Sequence, residues 1–487
     1  MSRFWTGIAA VSRIRAPCGG TTEGGQRRNG MTVQSTLLAR RGQREALWSL
    51  TGMCYLTVSG LSGIKGARMR NVRCRILSRF PPTPMFALAG AFMVLATACS
   101  DPPPASETRL VLAGQALIKK DPRIRWEDPY GSLAPILDRA DVAFTNFEMA
   151  ILSDEDRCGV PADYQVSFGE PRLPAETRLG NTGGPHAVAP DVMDFLADRG
   201  FNLMSLSNNH AYDLGDCGVA ATQAAAAAHE VAYAGTGADV ATATAPGYLT
   251  VGDFTIALIA ATTSHDERSA IGHAVNGVWT GRQEDWDRNI SAVREAAANA
   301  DFVLFYQHFQ IDLDEFEGVA PGDSTGDGHV WVADVAQWQT DFARAVLDAG
   351  ASMYVGHGHR AFDGVEVYDG KPLIRQLGGL AYQGLNPVIG GYDEHRPWEG
   401  LVAEVVIREG RVEQIDFIPL DLDEGETYRE EYDDLEFLSR RGLAELASGG
   451  LADAILERFQ GLSAEYGTDL SIAASRATLV IGYPDGI

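Results

Sequence analysis

Short apolar segments alternate with helical segments along most of this chain, and this alternation limits the fold more than any other feature. Apolar strands are predicted at 110–113, 140–144, 201–207, 254–261, 302–306, 352–355 and 372–376, and helices at 191–199, 217–231, 284–300 and 332–349. Strands that alternate with helices in this way are typical of an α/β fold whose helices cover the faces of a sheet.

The C-terminal part of the chain adds a strand pair, a helix and a further strand. Strands at 401–407 and 411–418 are separated by Glu409 and Gly410, which predicts a hairpin. An amphipathic helix is expected over 435–459, and a short strand at 479–482.

Polar side chains follow four of these strands at their carboxyl ends, where sites form in α/β sheets. They are Asn146 and Glu148, then Asn208, Asn209 and His210, then His308, and then His357 and His359. Taken one at a time, each is typical of a polar loop, and Asp213 is a candidate cap for the helix at 217. Imidazole nitrogen and amide or carboxylate oxygen are ligands of divalent metals, so their repetition favours a shared metal site.

The charge of the chain is divided between a basic N-terminal part and an acidic remainder. The net charge of −25 combines +12 for residues 1–98 with −37 for residues 99–487. An acidic protein is not attracted to nucleic acid or to an anionic membrane face, so nucleic acid is excluded as a partner.

A processing signal lies at the boundary between these two parts. Residues 69–98 contain four arginines and an apolar stretch that leads into Ala-Thr-Ala-Cys. This ending resembles the lipobox of bacterial lipoproteins and predicts a signal peptide at 69–98, a lipidated Cys99 and a tether at 99–107. The protein is then expected to be lipid-anchored in the cell envelope, outside the cytoplasm. An ordinary secretory signal cleaved nearby is the alternative.

Two further features bear on processing and redox compartment. Residues 1–68 precede the signal and are interpreted as an N-terminal extension from a start codon assigned too far upstream, with a transit peptide as the alternative. Beyond Cys99 the chain retains Cys158 and Cys217, for which a disulfide is allowed in an oxidising compartment.

Four segments resemble, in order, motifs of the CapA-type poly-γ-glutamate capsule-synthesis family. They are TNFEMAI at 145–151, SLSNNHAYDLGDCG at 205–218, FYQHFQID at 305–312 and GASMYVGHGHR at 350–360. The resemblance covers about residues 108–420. It implies the fold of calcineurin-type metallophosphoesterases, a sandwich of two mixed sheets flanked by helices, to which residues 421–487 add an α/β extension of the same domain.

The resemblance also implies roles for the residues at the strand ends. The implied metal ligands are Asn209, Glu148, His308 and His357, with His359 beside them. His210 corresponds to the imidazole that protonates a leaving oxygen, so His210 and Asp213 are the catalytic candidates. The candidate substrate-binding residues are Asn146, Asn208, Gln115 and Arg123. Arg123 belongs to a basic cluster at 119–125, for which surface ion pairs are the alternative interpretation.

Gln115 departs from the pattern of the related phosphoesterases. It stands where they place an aspartate that bridges two metal ions, and a neutral amide cannot bridge two cations comparably. Asp312 also replaces a glutamate, and Gly379 an asparagine. The residues that remain favour one Mn, Zn or Fe ion over a pair of ions.

Two functions are compatible with this sequence. The first is metal-assisted hydrolase or transferase chemistry on an anionic polymer or phosphoester, in capsule polymer synthesis, export or attachment, with capsule-synthesis membrane proteins as partners. The second is binding of a polymer or a synthase partner without catalysis. Gln115 favours the second, whereas the paired residues Asn209-His210 and His357-x-His359 favour the first.

Overall fold

The computed structural model describes the backbone of a defined part of the 487-residue chain. The described residues are 31–37, 48–54, 107–124, 126–153, 158–160, 186–264, 273–278, 282–310, 337–358, 361–383, 398–422 and 441–482. The chain divides into two units, Met1–Ala98 and Cys99–Ile487.

The first unit contains an antiparallel strand pair that the sequence did not predict. β1 (Met31–Leu37) pairs with β2 (Trp48–Cys54), with Met31 opposite Cys54 and Leu37 opposite Trp48. These strands lie within the predicted extension 1–68, where no sustained apolar period indicated an element. The predicted signal at 69–98 and the lipidated Cys99 lie outside the described residues.

The second unit contains the remaining strands and all the described helices. The strands are β3 (Glu107–Leu117), β4 (Val142–Phe147), β5 (Ala150–Ile151), β6 (Ala187–Val188), β7 (Leu203–Ser205), β8 (Ala232–Ala234), β9 (Gly247–Val251), β10 (Phe254–Ser264), β11 (Phe302–Gln310), β12 (Met353–His357), β13 (Phe362–Tyr368), β14 (Lys371–Leu377), β15 (Gly379–Tyr382), β16 (Glu399–Arg408), β17 (Arg411–Leu422), β18 (Ala444–Leu446), β19 (Ser471–Ala473) and β20 (Arg476–Val480). The helices are α1 (Ala134–Leu137), α2 (Asp191–Asp198), α3 (Gly215–Ala228), α4 (Val240–Thr244), α5 (Gln283–Asn299), α6 (Gln337–Ala349) and α7 (Gly449–Glu465), and Pro122–Ile124 form a 3₁₀ turn. Among the described residues, no helix is long and apolar enough to cross a membrane.

Two large mixed sheets organise the second unit. One has the strand order β13-β14-β12-β11-β10-β9, and the other has the order β19-β20-β17-β16-β3-β4-β7-β8, with β15 paired to β3 and β18 paired to β17. In the first sheet β10, β11, β12 and β14 are parallel, and in the second β3, β4, β7 and β8 are parallel. The expected fold, two mixed sheets flanked by helices, is confirmed.

The apolar core lies in three layers that follow from the period of two along each strand. Between the sheets, Phe144 of β4 packs on Tyr306 of β11 with ring centroids 5.2 Å apart. The other face of the ten-stranded sheet is covered by α1 and α2, and the other face of the six-stranded sheet by α5 and α6. Strands buried on both faces explain the nearly continuous apolar runs that made them predictable.

Most predicted elements agree with the observed ones, and the differences lie at their ends. The strand predicted at 201–207 is shorter, Leu203–Ser205. The hairpin is confirmed: Arg408 pairs with Arg411, and Glu409 and Gly410 between them have φ angles of 51° and 74°. A two-residue hairpin turn of type I′ requires positive φ angles at both of its central residues.

The prediction of a helix over 435–459 is wrong at its start. Ala444–Leu446 form β18, which pairs with β17, and helix α7 begins only at Gly449. Gly449 has a φ of +58°, in the left-handed region. A right-handed helix cannot continue through this conformation, so the helix does not extend to the residues before Gly449. Residues 435–440, and 332–336 of another predicted helix, lie outside the described residues.

Cys158 and Cys217 form a disulfide, with their Cα atoms 5.4 Å apart. It joins the segment after β5 to the first turn of α3. A small apolar cluster lies around it, made of Ala150, Leu152, Val160, Ala187 and Leu214. We call β5, β6, residues 158–160 and the first turns of α3 the disulfide platform.

Removing this disulfide in the double variant Cys158→Ala/Cys217→Ala is expected to lower the free energy of unfolding by about 2–4 kcal/mol. The reason is that the unfolded chain regains the freedom of a loop closed by residues 59 positions apart. Denaturant titration followed by tryptophan fluorescence measures the change. Reductant should lower the denaturation midpoint of the wild-type chain to that of the double variant. If reductant also shifts the midpoint of the double variant, the stabilising disulfide is not Cys158–Cys217.

Candidate active site

Two rows of polar side chains face each other at the carboxyl ends of the parallel strands. In the ten-stranded sheet, Gln115, Asn146 and Ser205 are opposite one another in register on β3, β4 and β7. In the six-stranded sheet, Thr262, His308 and His357 are opposite one another on β10, β11 and β12. All six are at most 3% exposed.

The period of two along a strand explains why both rows face the space between the sheets. Asn146 lies two residues beyond Phe144, His308 two beyond Tyr306, and His357 two beyond Val355. Side chains two positions apart point to the same face, and these three apolar residues belong to the core between the sheets. The site is therefore the polar end of that core.

Glu148 brings a carboxylate from one sheet to the histidines of the other. It follows the end of β4, where its backbone N–H donates to the carbonyl of Ala116 at 3.2 Å. Its Oε1 lies 4.0 Å from Nε2 of His308, and the rings of His308 and His357 have centroids 6.0 Å apart. The carboxylate and the two imidazoles are all buried at this end of the two sheets.

The tautomer of His357 follows from its contact with the backbone. Its Nε2 lies 2.7 Å from the carbonyl oxygen of Gly378, so Nε2 carries the hydrogen and donates it. A neutral ring of this tautomer has its lone pair on Nδ1, as a metal ligand requires. Gly378 can reach this position because Gly114 has no side chain: a Cβ at Gly114 would lie 1.8 Å from the Gly378 oxygen.

Asn208 holds the loop that follows β7 in place. Its Nδ2 donates to the carbonyl of Phe147 at 2.8 Å and to Oδ1 of Asn146 at 3.3 Å. Its Oδ1 accepts the backbone N–H of His210 at 3.0 Å. Both ends of the amide are thereby used within the protein, which ties the end of β4 to the turn that carries His210. A role of Asn208 in substrate binding stays a prediction.

His210 and Asp213 form a buried imidazole–carboxylate pair. Nδ1 of His210 lies 2.9 Å from Oδ2 of Asp213, and the same oxygen accepts the backbone N–H of His186 at 2.6 Å. The alternative role of Asp213 as a helix cap is wrong, because α3 has Leu214 at its N-cap and no side-chain cap hydrogen bond. The carboxylate instead orients an imidazole, as in general acid–base sites.

Several buried polar atoms at the strand ends make no hydrogen bond within the described part of the chain. They are Gln115 Oε1, Asn146 Nδ2, Asn209 Oδ1, Thr262 Oγ1 and Tyr306 Oη. Buried polar groups in proteins are nearly always paired, and leaving one without a partner costs about 1–3 kcal/mol. These atoms are therefore suited to pair with a polar ligand or ordered water.

Tyr306 lies beneath the histidines and stays protonated. Burial raises the pKa of its phenol well above the ordinary value, and the nearby charge of Glu148 raises it further. It therefore presents a neutral hydroxyl to the site at all physiological pH values.

The other predicted site residues lie elsewhere or outside the described residues. His359 and Cys99 are among the latter. The guanidinium of Arg123 forms ion pairs with the buried Asp121 and the exposed Asp198 and donates to the carbonyl of Asp191. A substrate-binding role for Arg123 stays a prediction.

Sequence reasoning missed His186, Thr262 and Tyr306. Extending the strand predicted at 254–261 to its observed end at Ser264 would have placed Thr262 in the row with His308. Tyr306 was predicted only as a strand residue, and its period-two relation to His308 was the available signal. His186 is 24 residues before His210 and follows no predicted strand, so the sequence carried no signal for it.

The donor set at this site suits a divalent ion by its chemistry. Imidazole nitrogen, one carboxylate and an amide oxygen bind Mn, Zn or Fe. Within the described residues, no three or more His, Cys, Asp or Glu side chains lie together in an arrangement that could hold a metal ion. The metal-ligand roles of Glu148, Asn209, His308 and His357 therefore stay a prediction.

Comparison with known proteins adds four findings. The profile of the family described as bacterial capsule synthesis protein PGA_cap matches residues 109–383. An uncharacterized protein of Sinorhizobium fredii, y4sH, is 23% identical over 74% of this chain and 91% of its own length. A probable polyglutamine synthesis accessory protein of Mycobacterium tuberculosis is 28% identical over 56% of this chain and 64% of its own. The PGA biosynthesis protein CapA of Bacillus subtilis is 28% identical over 38% and 44%.

Gly114→Ala is expected to lower the free energy of unfolding by about 1–3 kcal/mol, because the new methyl group displaces Gly378 from β3. The matched control is Gly461→Ala in α7, where a Cβ meets nothing within 4 Å. There alanine is expected to stabilise the helix by about 0.5–1 kcal/mol. Urea titration of both variants measures the difference, and equal effects would refute the close approach of Gly114 and Gly378.

Proposed function

Because the chain belongs to the bacterial capsule synthesis protein family PGA_cap, we propose that it acts in the synthesis, export or attachment of a poly-γ-glutamate-type capsule polymer. It does so from the cell envelope, held by a lipid on Cys99. The basic segment, the apolar stretch and the Ala-Thr-Ala-Cys ending support this anchor. The name of the relative from Bacillus, which refers to PGA biosynthesis, supports the polymer class, and the relative from Mycobacterium is named for polyglutamine synthesis.

One observation carries the proposal of chemistry at the site. The carboxylate of Glu148, from the ten-stranded sheet, lies 4.0 Å from the imidazole of His308 in the six-stranded sheet. Burying a carboxylate beside two imidazoles is costly unless the charges are compensated. A buried carboxylate beside imidazoles is expected where a protein binds a cation and acts on a polar substrate. Packing of the two sheets does not require it.

A single divalent ion fits the residues present better than a pair of ions does. His308, His357 through Nδ1, Glu148 and the amide oxygen of Asn209 would hold it, and Gln115 supplies no negative charge for a second ion. When bound, such an ion acts as a Lewis acid that polarises a substrate oxygen and lowers the pKa of a bound water. Mn, Zn and Fe accept this mixture of nitrogen and oxygen ligands.

The chain's own groups would position the substrate and move a proton. Nδ1 of His210 donates to Asp213, so Nε2 is the nitrogen that exchanges a proton with the substrate. As an imidazolium, the ring would give the Nε2 proton to a leaving oxygen or nitrogen and become the neutral Nδ1–H tautomer. Asn146 and Gln115, with their buried amide atoms, are suited to hydrogen bonding with a polar substrate. Together these roles describe metal-assisted hydrolase or transferase chemistry on a polymer or phosphoester.

A non-catalytic function is the second candidate, and Gln115 favours it. Without a bridging carboxylate, the two rows could bind a polymer or a synthase partner through hydrogen bonds alone. The strongly acidic surface of residues 99–487, with a net charge of −37, would then restrict contact with an anionic polymer to the buried polar site.

Metal content separates the two candidates. The purified wild-type chain is expected to carry one divalent ion, and His357→Ala and Glu148→Gln are each expected to lose it because a ligand is removed. Elemental mass spectrometry measures the ion. The control is His229→Ala, which removes a histidine that pairs with Asp194 outside the site.

Absence of metal from the wild-type chain, even after refolding with Mn or Zn, would overturn the metal-assisted chemistry. Binding of poly-γ-glutamate that survives a chelator and the His357→Ala change would then support the polymer-binding function. Loss of turnover under both treatments would support the enzyme.

The lipid anchor has its own test. Cys99→Ser is expected to move the protein from the membrane fraction to the soluble fraction of cells, because serine cannot form the thioether to the lipid. Ser100→Ala is the control and should stay in the membrane fraction. An unchanged distribution of Cys99→Ser would exclude anchoring through this cysteine.

A further inference from the structure

His186 contacts the His210–Asp213 pair through both its main chain and its side chain. Its backbone N–H donates to Oδ2 of Asp213 at 2.6 Å, and its ring stacks on the ring of His210. The centroids of the two rings are 3.5 Å apart and their planes differ by 15°. One residue therefore contacts both members of the pair that is proposed to transfer a proton.

The main chain of His186 is fixed from two sides. Its carbonyl accepts the backbone N–H of Ala150 at 2.9 Å, where β6 begins to pair with β5. Its N–H points the other way, to Asp213. Ala150 lies two residues beyond Glu148, so His186 connects the chain around a candidate metal ligand with the chain around the catalytic candidates.

The disulfide platform holds this segment against α3. The backbone N–H of Ile151 donates to Oγ1 of Thr222 in α3 at 3.0 Å, and Cys158 is bonded to Cys217 at the start of the same helix. Ala187, directly after His186, is buried in the apolar cluster of the platform together with Leu214, directly after Asp213. His186 and Asp213 are thus brought together by one packed unit.

The stacked ring limits the orientations of His210. With Nδ1 bonded to Asp213 and one face covered by His186, rotation of the imidazole would break a charge-assisted hydrogen bond and a ring contact together. The edge that carries Nε2 is then the part of the ring left to face a substrate. Packing alone would be served by any apolar side chain, whereas a flat ring parallel to His210 restricts its tilt.

We infer that His186 is a positioning residue. Through its stacked ring and its N–H bond to Asp213, it holds the His210 imidazole in the orientation and tautomer needed for proton transfer. The inference rests on the proposed function only in so far as His210 is the group that transfers the proton. The N–H bond is independent of the side chain at this position, so substitutions test the ring alone.

The test measures solvent exchange of the His210 Nδ1 hydrogen by NMR of the full chain labelled with ¹⁵N-histidine. The resonance is assigned by its loss in His210→Gln. His186→Leu keeps an apolar side chain but removes the flat ring, and it is expected to speed exchange until the resonance is lost. His186→Phe restores a flat ring and is expected to keep the resonance.

The matched control is His229→Ala. His229 lies at the C-terminal end of α3, and its Nε2 is 2.6 Å from Oδ1 of Asp194 in α2. The substitution should leave the His210 resonance unchanged. A wild-type exchange rate in His186→Leu would overturn the inference, and so would equally fast exchange in His186→Leu and His186→Phe. The measurement needs neither metal nor substrate, so failure of the proposed function would leave its outcome unaffected.

Discussion

The packing of the two sheets against each other is the constraint on which the rest of the structure depends. Phe144 and Tyr306 meet between the sheets and fix their separation, and the polar rows lie two residues further along the same strands. The packing of the sheets therefore places Glu148 and His308 4.0 Å apart across the sandwich. Burial of apolar area, which is non-directional, thus determines the geometry of a directional polar site.

The polar site in turn depends on backbone that only small residues permit. Gly114 allows the carbonyl of Gly378 to approach β3, and that carbonyl sets the tautomer of His357. Another part of the second unit, the disulfide platform, brings His186 to the His210–Asp213 pair from a distant part of the chain. The part of the site that carries Glu148, His308 and His357 thus belongs to the sandwich, whereas the His210–Asp213 pair depends on the platform as well.

The secondary structure and the placement of most predicted site residues at strand ends followed from the sequence, because both rest on local patterns. Apolar runs such as 302–306 specify buried strands, and polar residues directly after them, such as His308, must lie at the sheet edge. Family membership strengthened the assignment through the order of several motifs. The helix start at Gly449 and the strand Ala444–Leu446 were missed, since strand pairing with β17 overrode a helical pattern.

The sequence by itself determined which residue types end the parallel strands, and hence that Asn146, Glu148, His308 and His357 would share one edge of the fold. Only the tertiary structure decided that Cys158 bonds to Cys217, that Asp213 orients His210 and does not cap α3, and that His186 covers His210. The physical reason is distance along the chain. A strand and the residue after it are coupled by covalent geometry, whereas contacts between remote segments depend on how the sheets and helices pack.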